Sequence, residues 1–386
     1  MNDNISILGI EIDHPQFKYS TTELIDILGN KISEKVKENI KQLGVEQRFF
    51  TRPIEHYLLS SQTNSSDNNE PISDLSAQVA KNCLSNLDIN LDKISCLIAA
   101  SENNDYLSPG LSSIIIRKIG LPNFIPHFNL QGMACSSFPK LLELGSKLVK
   151  DESDNVLIVI SGCNSGWYLP HLGDEMSIRN PKEIGEKQYD RDKQIKKWVS
   201  TMFSFLFGDG VAALILSKTP RGQTSIKLGK MTHAVNFDTY DYRKACVKMD
   251  GQLSSHLYEY QLTAGSRVLD LALDYSKKVL MKSLGKNPES YDPDSARSYL
   301  STMKKIMIHT GSLKILDGFK NLYGLKDEQI QESYDTLREF GNLTGVSIPM
   351  VMKKAMLGKD ITNGIGLLIG ITMGFGLDLV EIEKVS

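Results

Sequence analysis

A chain of 386 residues with Lys+Arg 44 against Asp+Glu 46 carries a net charge of −2, which gives no basic bias toward nucleic acid or an anionic membrane surface. The length suits two or three average domains, or two halves sharing one large core. Cysteines at 83, 96, 135, 163 and 246 form no CxxC pair, so neither a disulfide framework nor a thiolate metal site is expected, and the setting reads as reducing and cytoplasmic. Met1-Asn2-Asp3-Asn4 leads into no basic-then-apolar signal, and no apolar run approaches the roughly 18 residues that cross a bilayer.

In chain order, Ile5 to Ile12 reads as a first strand, and Thr21-Thr22-Glu23 opens a helix with Leu24, Ile25, Ile27 and Leu28 on its apolar face. A second helix ends near Leu43-Gly44. Residues 62–71 are polar throughout and read as a surface loop, because a helical pattern resumes at Ile72 to Leu87. Ile94 to Ala100 is short, apolar and suited to a buried strand, emptying into Ser101-Glu102-Asn103. Pro109-Gly110 then starts a helix from Leu111 to Ile119. Val156 to Ile160 and Val211 to Leu216 read as two more buried strands, separated by a charged insert at 171–201 with some helix. That insert is read as a solvated excursion, with a lid or partner surface as the alternative. From Ile226 the pattern begins again: a strand to Leu228, a helix near 264–284, a strand at Ile306 to His309, helices at 313–322 and 327–340, and a last strand region from Ile365 to Ile382. Strands alternating with helices predict an α/β architecture with mostly parallel sheets. The division is into halves 1–224 and 225–386, with duplication inferred from the order of elements, since no residue-level self-similarity is detected.

Three residues carry the chemistry. Cys135 in Gln131-Gly132-Met133-Ala134-Cys135-Ser136-Ser137-Phe138-Pro139 precedes apolar residues at helical spacing, and Pro139 is tolerated in a first helical turn. A cysteine there feels the positive end of a helix dipole, which favours thiolate; the alternative is a small core residue. His309 ends a buried strand, where α/β folds place functional side chains. Asn342 follows Phe340-Gly341, a helix C-cap. Singly, these two are also ordinary polar and turn residues. Together, an imidazole N–H and a carboxamide NH2 supply the donors that an enolate oxygen requires.

The segments Gln131 to Cys135, Leu206-Phe207-Gly208-Asp209-Gly210, His309-Thr310-Gly311-Ser312-Leu313, Phe340-Gly341-Asn342 and Met373-Gly374-Phe375-Gly376 stand in the order seen in thiolase-fold condensing enzymes. From Gly44 to the C-terminus the chain resembles chalcone synthase-like type III polyketide synthases, with ketoacyl synthase III and the plant 3-ketoacyl-CoA synthases as relatives. The resemblance implies a five-layered αβαβα fold made of two duplicated halves, working as a homodimer without metal or bound cofactor. It implies acyl-CoA, or an acyl carrier protein, as donor and malonyl-CoA as extender. Cys135 becomes the nucleophile, His309 and Asn342 the decarboxylation pair, and Phe207 the aromatic neighbour of the cysteine. Gly374, Phe375 and Gly376 shape the pocket, and the backbone N–H groups of Cys135 and of the loop from Gly374 to Leu377 form the oxyanion hole. Cys163 matches no catalytic position.

Ser255 stands at or next to the place of a second gating phenylalanine, and Ser136-Ser137-Phe138-Pro139 replaces a glycine-rich turn. Arg48 and Lys314 are candidates for the anionic parts of coenzyme A, with solvated surface charge as the alternative. Glu102 is the candidate base for a non-decarboxylative condensation, and an inactive partner subunit is the non-enzymatic alternative.

Overall fold

The computed structural model describes residues 4–58, 71–101, 103–106, 108–172, 177–180, 183, 188–220, 223–235, 247–253, 258–262, 268–356, 364–372 and 376–385. Its strands are β1 (Ile5–Asp13), β2 (Phe17–Ser20), β3 (Gln47–Phe50), β4 (Ile94–Ser101), β5 (His127–Leu130), β6 (Asn155–Gly162), β7 (Gly210–Lys218), β8 (Ser225–Val235), β9 (Val247–Leu253), β10 (Tyr258–Leu262), β11 (Lys305–Ile308), β12 (Gly364–Thr372) and β13 (Gly376–Val385). Nine of them form one sheet in the order β11-β12-β13-β8-β1-β7-β6-β4-β5.

The order contains a repeat. Outward from β1, the neighbours β7, β6, β4 and β5 are joined antiparallel, antiparallel, parallel and parallel. Outward from β8, the neighbours β13, β12 and β11 are joined antiparallel, antiparallel and parallel. The two runs meet only where Ser6 faces Lys227 and Ile7 faces Ile226.

Strand alternation sets the layers. In β6 (NVLIVISG), Val156, Ile158 and Ile160 face one way, with Ile98 of β4 and Leu214 of β7, onto Phe138, Leu141 and Leu142 of the helix Ser137–Leu148. Leu157 and Val159 face the other way, onto the helices Pro71–Asn86 and Leu111–Ile119. Successive strand side chains must point to opposite faces, so an uninterrupted apolar run is covered on both. The second run is built likewise. Leu368, Val380 and Ile382 join the central layer with Ile348, Val351 and Met352 of the helix Ser347–Met356, while Ile306, Leu367 and Leu379 pack outward onto the helices Val268–Ser283, Leu313–Tyr323 and Asp327–Phe340. Helices, strands, helices, strands, helices is the expected αβαβα order.

The insert at 171–201 corrects the reading of a solvated excursion. The helix Gln188–Leu206 runs through its second half, and Lys197, Val199, Ser200 and Thr201 are buried. Leu172 and Ile178 pack with Leu24, Ile40, Phe50 and Leu169, which charge composition alone conceals. The β9–β10 hairpin and the helix Pro293–Ser301 are further elements that the sequence pattern did not announce.

Candidate active site

Cys135 sits in a 3-10 turn, Ala134–Ser136, that runs directly into the helix Ser137–Leu148, with Pro139 in that helix's first turn. The turn is strained: Ala134 has φ +38° and Gly132 φ +76°. Non-glycine residues reach this region at a cost that surrounding structure must hold in place. The second run of the fold repeats the device. Thr344 has φ +53°, Gly341 φ +72°, and the 3-10 turn Thr344–Val346 runs into the helix Ser347–Met356. Aligned at a separation of 210 residues, Ser137-Phe138-Pro139 matches Ser347-Ile348-Pro349, and Gly345 stands where Cys135 does.

The two turns press on each other. A Cβ on Gly345 would overlap Ser137 Oγ and lie 3.2 Å from the Ala134 carbonyl. Asn342 begins this second turn. Its Oδ1 accepts the Thr344 N–H at 2.8 Å and its backbone N–H donates to Leu206 O at 2.8 Å. With Oδ1 held by a donor, Nδ2 is the end of the amide that remains to donate.

His309 follows β11, with its N–H on Ile369 O of β12 at 2.9 Å. Next to it, Thr310 Oγ1 lies 2.9 Å from Ser347 Oγ and 3.2 Å from Gly341 O, tying the histidine's turn to the asparagine's. Thr372 at the end of β12 donates to Met133 O at 3.2 Å, tying that strand end to the cysteine's turn. The three segments therefore converge, and Cys135 (8% exposed), His309 (2%) and Asn342 (3%) are all buried. Burial drives the His309 pKa down to about 3, since an apolar setting penalises the charged form. The ring is neutral at physiological pH, and its Nδ1 has no hydrogen-bond partner.

Phe207 joins this group from the side. Its backbone bridges to Asn342, and its ring stacks on Tyr168 at 5.0 Å and meets Phe203 edge-on at 5.4 Å. The loop behind it is held by Asp209, whose carboxylate accepts from the N–H groups of Thr51, Asn164 and Ser165 at 2.9, 2.7 and 2.9 Å and from the Ser165 hydroxyl. Burial raises the Asp209 pKa and these donors oppose that rise. Cys163 lies 3.6 Å from Thr51 Oγ1, and burial together with Asp209 pushes its thiol pKa up.

The remaining predicted residues divide. Gly376 is buried and pairs with Thr372. Lys314 is exposed in the first turn of the helix Leu313–Tyr323. Arg48 is corrected: it is 0% exposed, donates to Thr21 Oγ1 at 2.6 Å, and has no bond from Nε or Nη1. Burial lowers its pKa to about 9, and a guanidinium enclosed in this way is withdrawn from the coenzyme A contact expected of it. Ser255, Gly374, Phe375 and Glu102 lie outside the described residues. Among the described residues, no group of three or more His, Cys, Asp or Glu is placed to hold a metal ion, and no helix is long and apolar enough to cross a membrane. Sequence reasoning missed Thr310, Ser347, Thr372 and Tyr168; the doubled Ser-x-Pro was the available signal for Ser347.

No family model matches the chain. It is 24% identical over 320 residues to a β-ketoacyl-[acyl-carrier-protein] synthase III of Neisseria gonorrhoeae, covering 82% of this chain and 85% of that one. It is 24% identical over 378 residues to the 3,5-dihydroxyphenylacetyl-CoA synthase of Amycolatopsis orientalis, covering 95% and 90%. Its fold matches the type III polyketide synthase domain of Steely1 from Dictyostelium with a TM-score of 0.76 at 19% identity, covering 99% of this chain and 100% of that domain. The chain thus has a thiolase-type fold, shared with type III polyketide synthase structures, and is similar in sequence to β-ketoacyl-[acyl-carrier-protein] synthase III.

Proposed function

We propose that this chain is an acyltransferase that forms carbon–carbon bonds by decarboxylative Claisen condensation. One observation supports the reading: hydrogen bonds of Thr310 and Thr372 tie together the segments that carry the strained cysteine turn, a neutral buried histidine with an unbonded ring nitrogen and an asparagine with a pinned Oδ1. Cys135 attacks the thioester carbonyl of an acyl-CoA or acyl carrier protein, and the donor thiolate leaves. The C–CO2 bond of malonyl-CoA then breaks, its electron pair passing to the thioester oxygen as an enolate. A neutral imidazole N–H from His309 and the Asn342 NH2 hold that oxygen without an ion pair. The enolate carbon attacks the acyl-Cys135 carbonyl, and the cysteine thiolate is released. The backbone N–H of Cys135 and one from residues 374–377 receive the oxyanion.

Phe207, with Tyr168 behind it, forms an aromatic wall of the pocket; Phe375, Gly374 and Gly376 shape the opposite side, and Ser255 leaves the throat wide. Lys314 is the remaining candidate for coenzyme A. The halves divide near 224, and the enzyme works as a cytoplasmic homodimer. The edge strand β5, with Phe128 exposed and Phe124 93% exposed beside it, supports that assembly, because the unpaired backbone groups of an edge strand invite a second strand and exposed aromatic rings favour burial.

The test combines intact-protein mass spectrometry with carbon dioxide release, using acyl-CoA starters of varied length and malonyl-CoA. The wild type gains an acyl adduct that Cys135→Ala lacks, and releases CO2 in a manner lost in His309→Ala and Asn342→Ala. An unchanged adduct on Cys135→Ala refutes the nucleophile; adducts without CO2 release refute the decarboxylation.

A further inference from the structure

Two buried hydroxyls stand between the segments of His309 and Asn342, and the reaction above gives neither a role. Thr310 and Ser347 are both 0% exposed. Thr310 Oγ1 lies 2.9 Å from Ser347 Oγ and 3.2 Å from Gly341 O, and the Leu343 N–H donates to that same Ser347 Oγ at 3.0 Å. Gly341 and Leu343 are the two chain neighbours of Asn342, so the hydroxyl pair grips the asparagine's backbone on both sides, and it does so from the residue next to His309. Groups buried this deeply have no water to turn to, and removing either hydroxyl leaves a polar atom unpaired.

The two segments are otherwise anchored apart. His309 donates its N–H to Ile369 O at 2.9 Å and its O accepts the Gly311 N–H at 2.8 Å; Asn342 donates its N–H to Leu206 O at 2.8 Å and its O accepts the Gly208 N–H at 3.2 Å. The histidine thus rides on β12 and the asparagine on the segment that precedes β7. Among the described residues, the Thr310 hydroxyl makes the only hydrogen bonds between residues 309–312 and 341–347. Apolar packing holds two segments together without fixing their register, whereas hydrogen bonds are directional and fix it. Because the Thr344 N–H holds Asn342 Oδ1 within its own turn, a shift of that turn carries Nδ2 with it.

We propose that Thr310 and Ser347 are positioning residues that set the separation of the two enolate donors, His309 and Asn342. The inference rests on the decarboxylative reading above. Decarboxylation needs both donors on one oxygen at once, whereas acyl loading needs the Cys135 thiol and its own oxyanion donors. Donors displaced by about 1 Å lose on the order of 100-fold in rate. The hydroxyl pair therefore acts on one half-reaction and leaves the other alone.

The experiment measures both half-reactions in the full-length protein: acylation of Cys135 by p-nitrophenyl acetate, with Cys135→Ala as the blank, and CO2 release from malonyl-CoA at varied concentration. Thr310→Val keeps the side chain's shape without the hydroxyl. It should lower kcat for CO2 release by about 10- to 100-fold, with KM for malonyl-CoA and the rate of acylation each within about twofold of wild type. Thr310→Ser restores the hydroxyl and should bring CO2 release back to within about threefold of wild type. Ser347→Ala should also lower CO2 release selectively, and it tests the pair where Thr310→Val fails to fold. Equal loss in both half-reactions, CO2 release unchanged in folded Thr310→Val or Ser347→Ala, or no recovery in Thr310→Ser overturns the proposal. A wild type that is acylated yet releases no CO2 refutes the decarboxylative reading instead, and the positioning role with it.

Discussion

The neutral state of His309 makes a quantitative prediction about stability. Its pKa falls from an ordinary value near 6.5 to about 3 on burial, a gap of about 3.5 pH units at ~1.4 kcal/mol each, so the folded state disfavours the imidazolium by ~5 kcal/mol. Above pH 6.5 the ring is neutral in folded and unfolded chains, and it contributes no pH dependence. Between pH 6.5 and 3 the unfolded chain binds a proton that the folded chain refuses, so stability falls by ~1.4 kcal/mol for each unit that the pH drops. At pH 5 the loss is ~2 kcal/mol. Urea unfolding of wild type and His309→Gln at pH 7.5, 6 and 5 isolates this contribution, because every other group titrates in both. The wild type should lose ~2 kcal/mol more than the variant between pH 7.5 and 5. Parallel losses would mean that the folded chain takes up the proton as readily as the unfolded one, and would refute the claim that burial holds the ring neutral.

Three further outcomes follow from packing and burial. Gly345→Ala forces the asparagine and cysteine turns apart, because the added methyl meets Ser137 Oγ; acyl loading of Cys135 should fall at least ~10-fold, with a cost of ~1–3 kcal/mol in unfolding, and an unaffected variant would show that the turns do not press on one another. Thr21→Val removes the acceptor nearest the Arg48 guanidinium, leaving Val45 O at 3.5 Å. The expected loss is ~1–3 kcal/mol, read from the urea midpoint, and an unchanged midpoint would refute it. Cys163, whose thiol is pushed up by burial and Asp209, should label with iodoacetamide more slowly than Cys135 at pH 7 in peptide mass mapping; faster labelling of Cys163 would contradict its inert setting.

Elements with strong local signals were legible in advance. The helix Leu111–Ile119 runs between Pro109-Gly110 and the left-handed Gly120, and Asp327–Phe340 ends at Gly341, so both were placed within a residue. The buried strands β6 and β7 hold uninterrupted apolar runs bounded by polar residues, and β4 holds one after Ser95. Tertiary context decided what was missed. Arg48 reads as a surface cation in any linear window, and only the packing of β3 against the helix Gln188–Leu206 encloses it. The charged opening of that helix masked the apolar face that follows. β5 is four residues with little apolar content, defined by its parallel pairing with β4. The candidate nucleophile and its partners were legible because each sits at the end of an element, next to a glycine or proline. The hydroxyls of Thr310 and Thr372 that join them connect residues 37 and 239 positions apart, a distance at which no spacing rule speaks.

The doubled turn also bears on why the proposed reaction has one centre and not two. The turns at 134–136 and 344–346 meet across the approximate symmetry of the fold, where there is room for one side chain. In the second turn the place of Cys135 is taken by Gly345, because a Cβ there would overlap Ser137 Oγ of the first, and the loop before it carries Asn342. Asymmetry at Gly345 is therefore a steric consequence of the Ser137 hydroxyl beside it, and in the proposed reaction it leaves the thiol to one turn and the amide to the other.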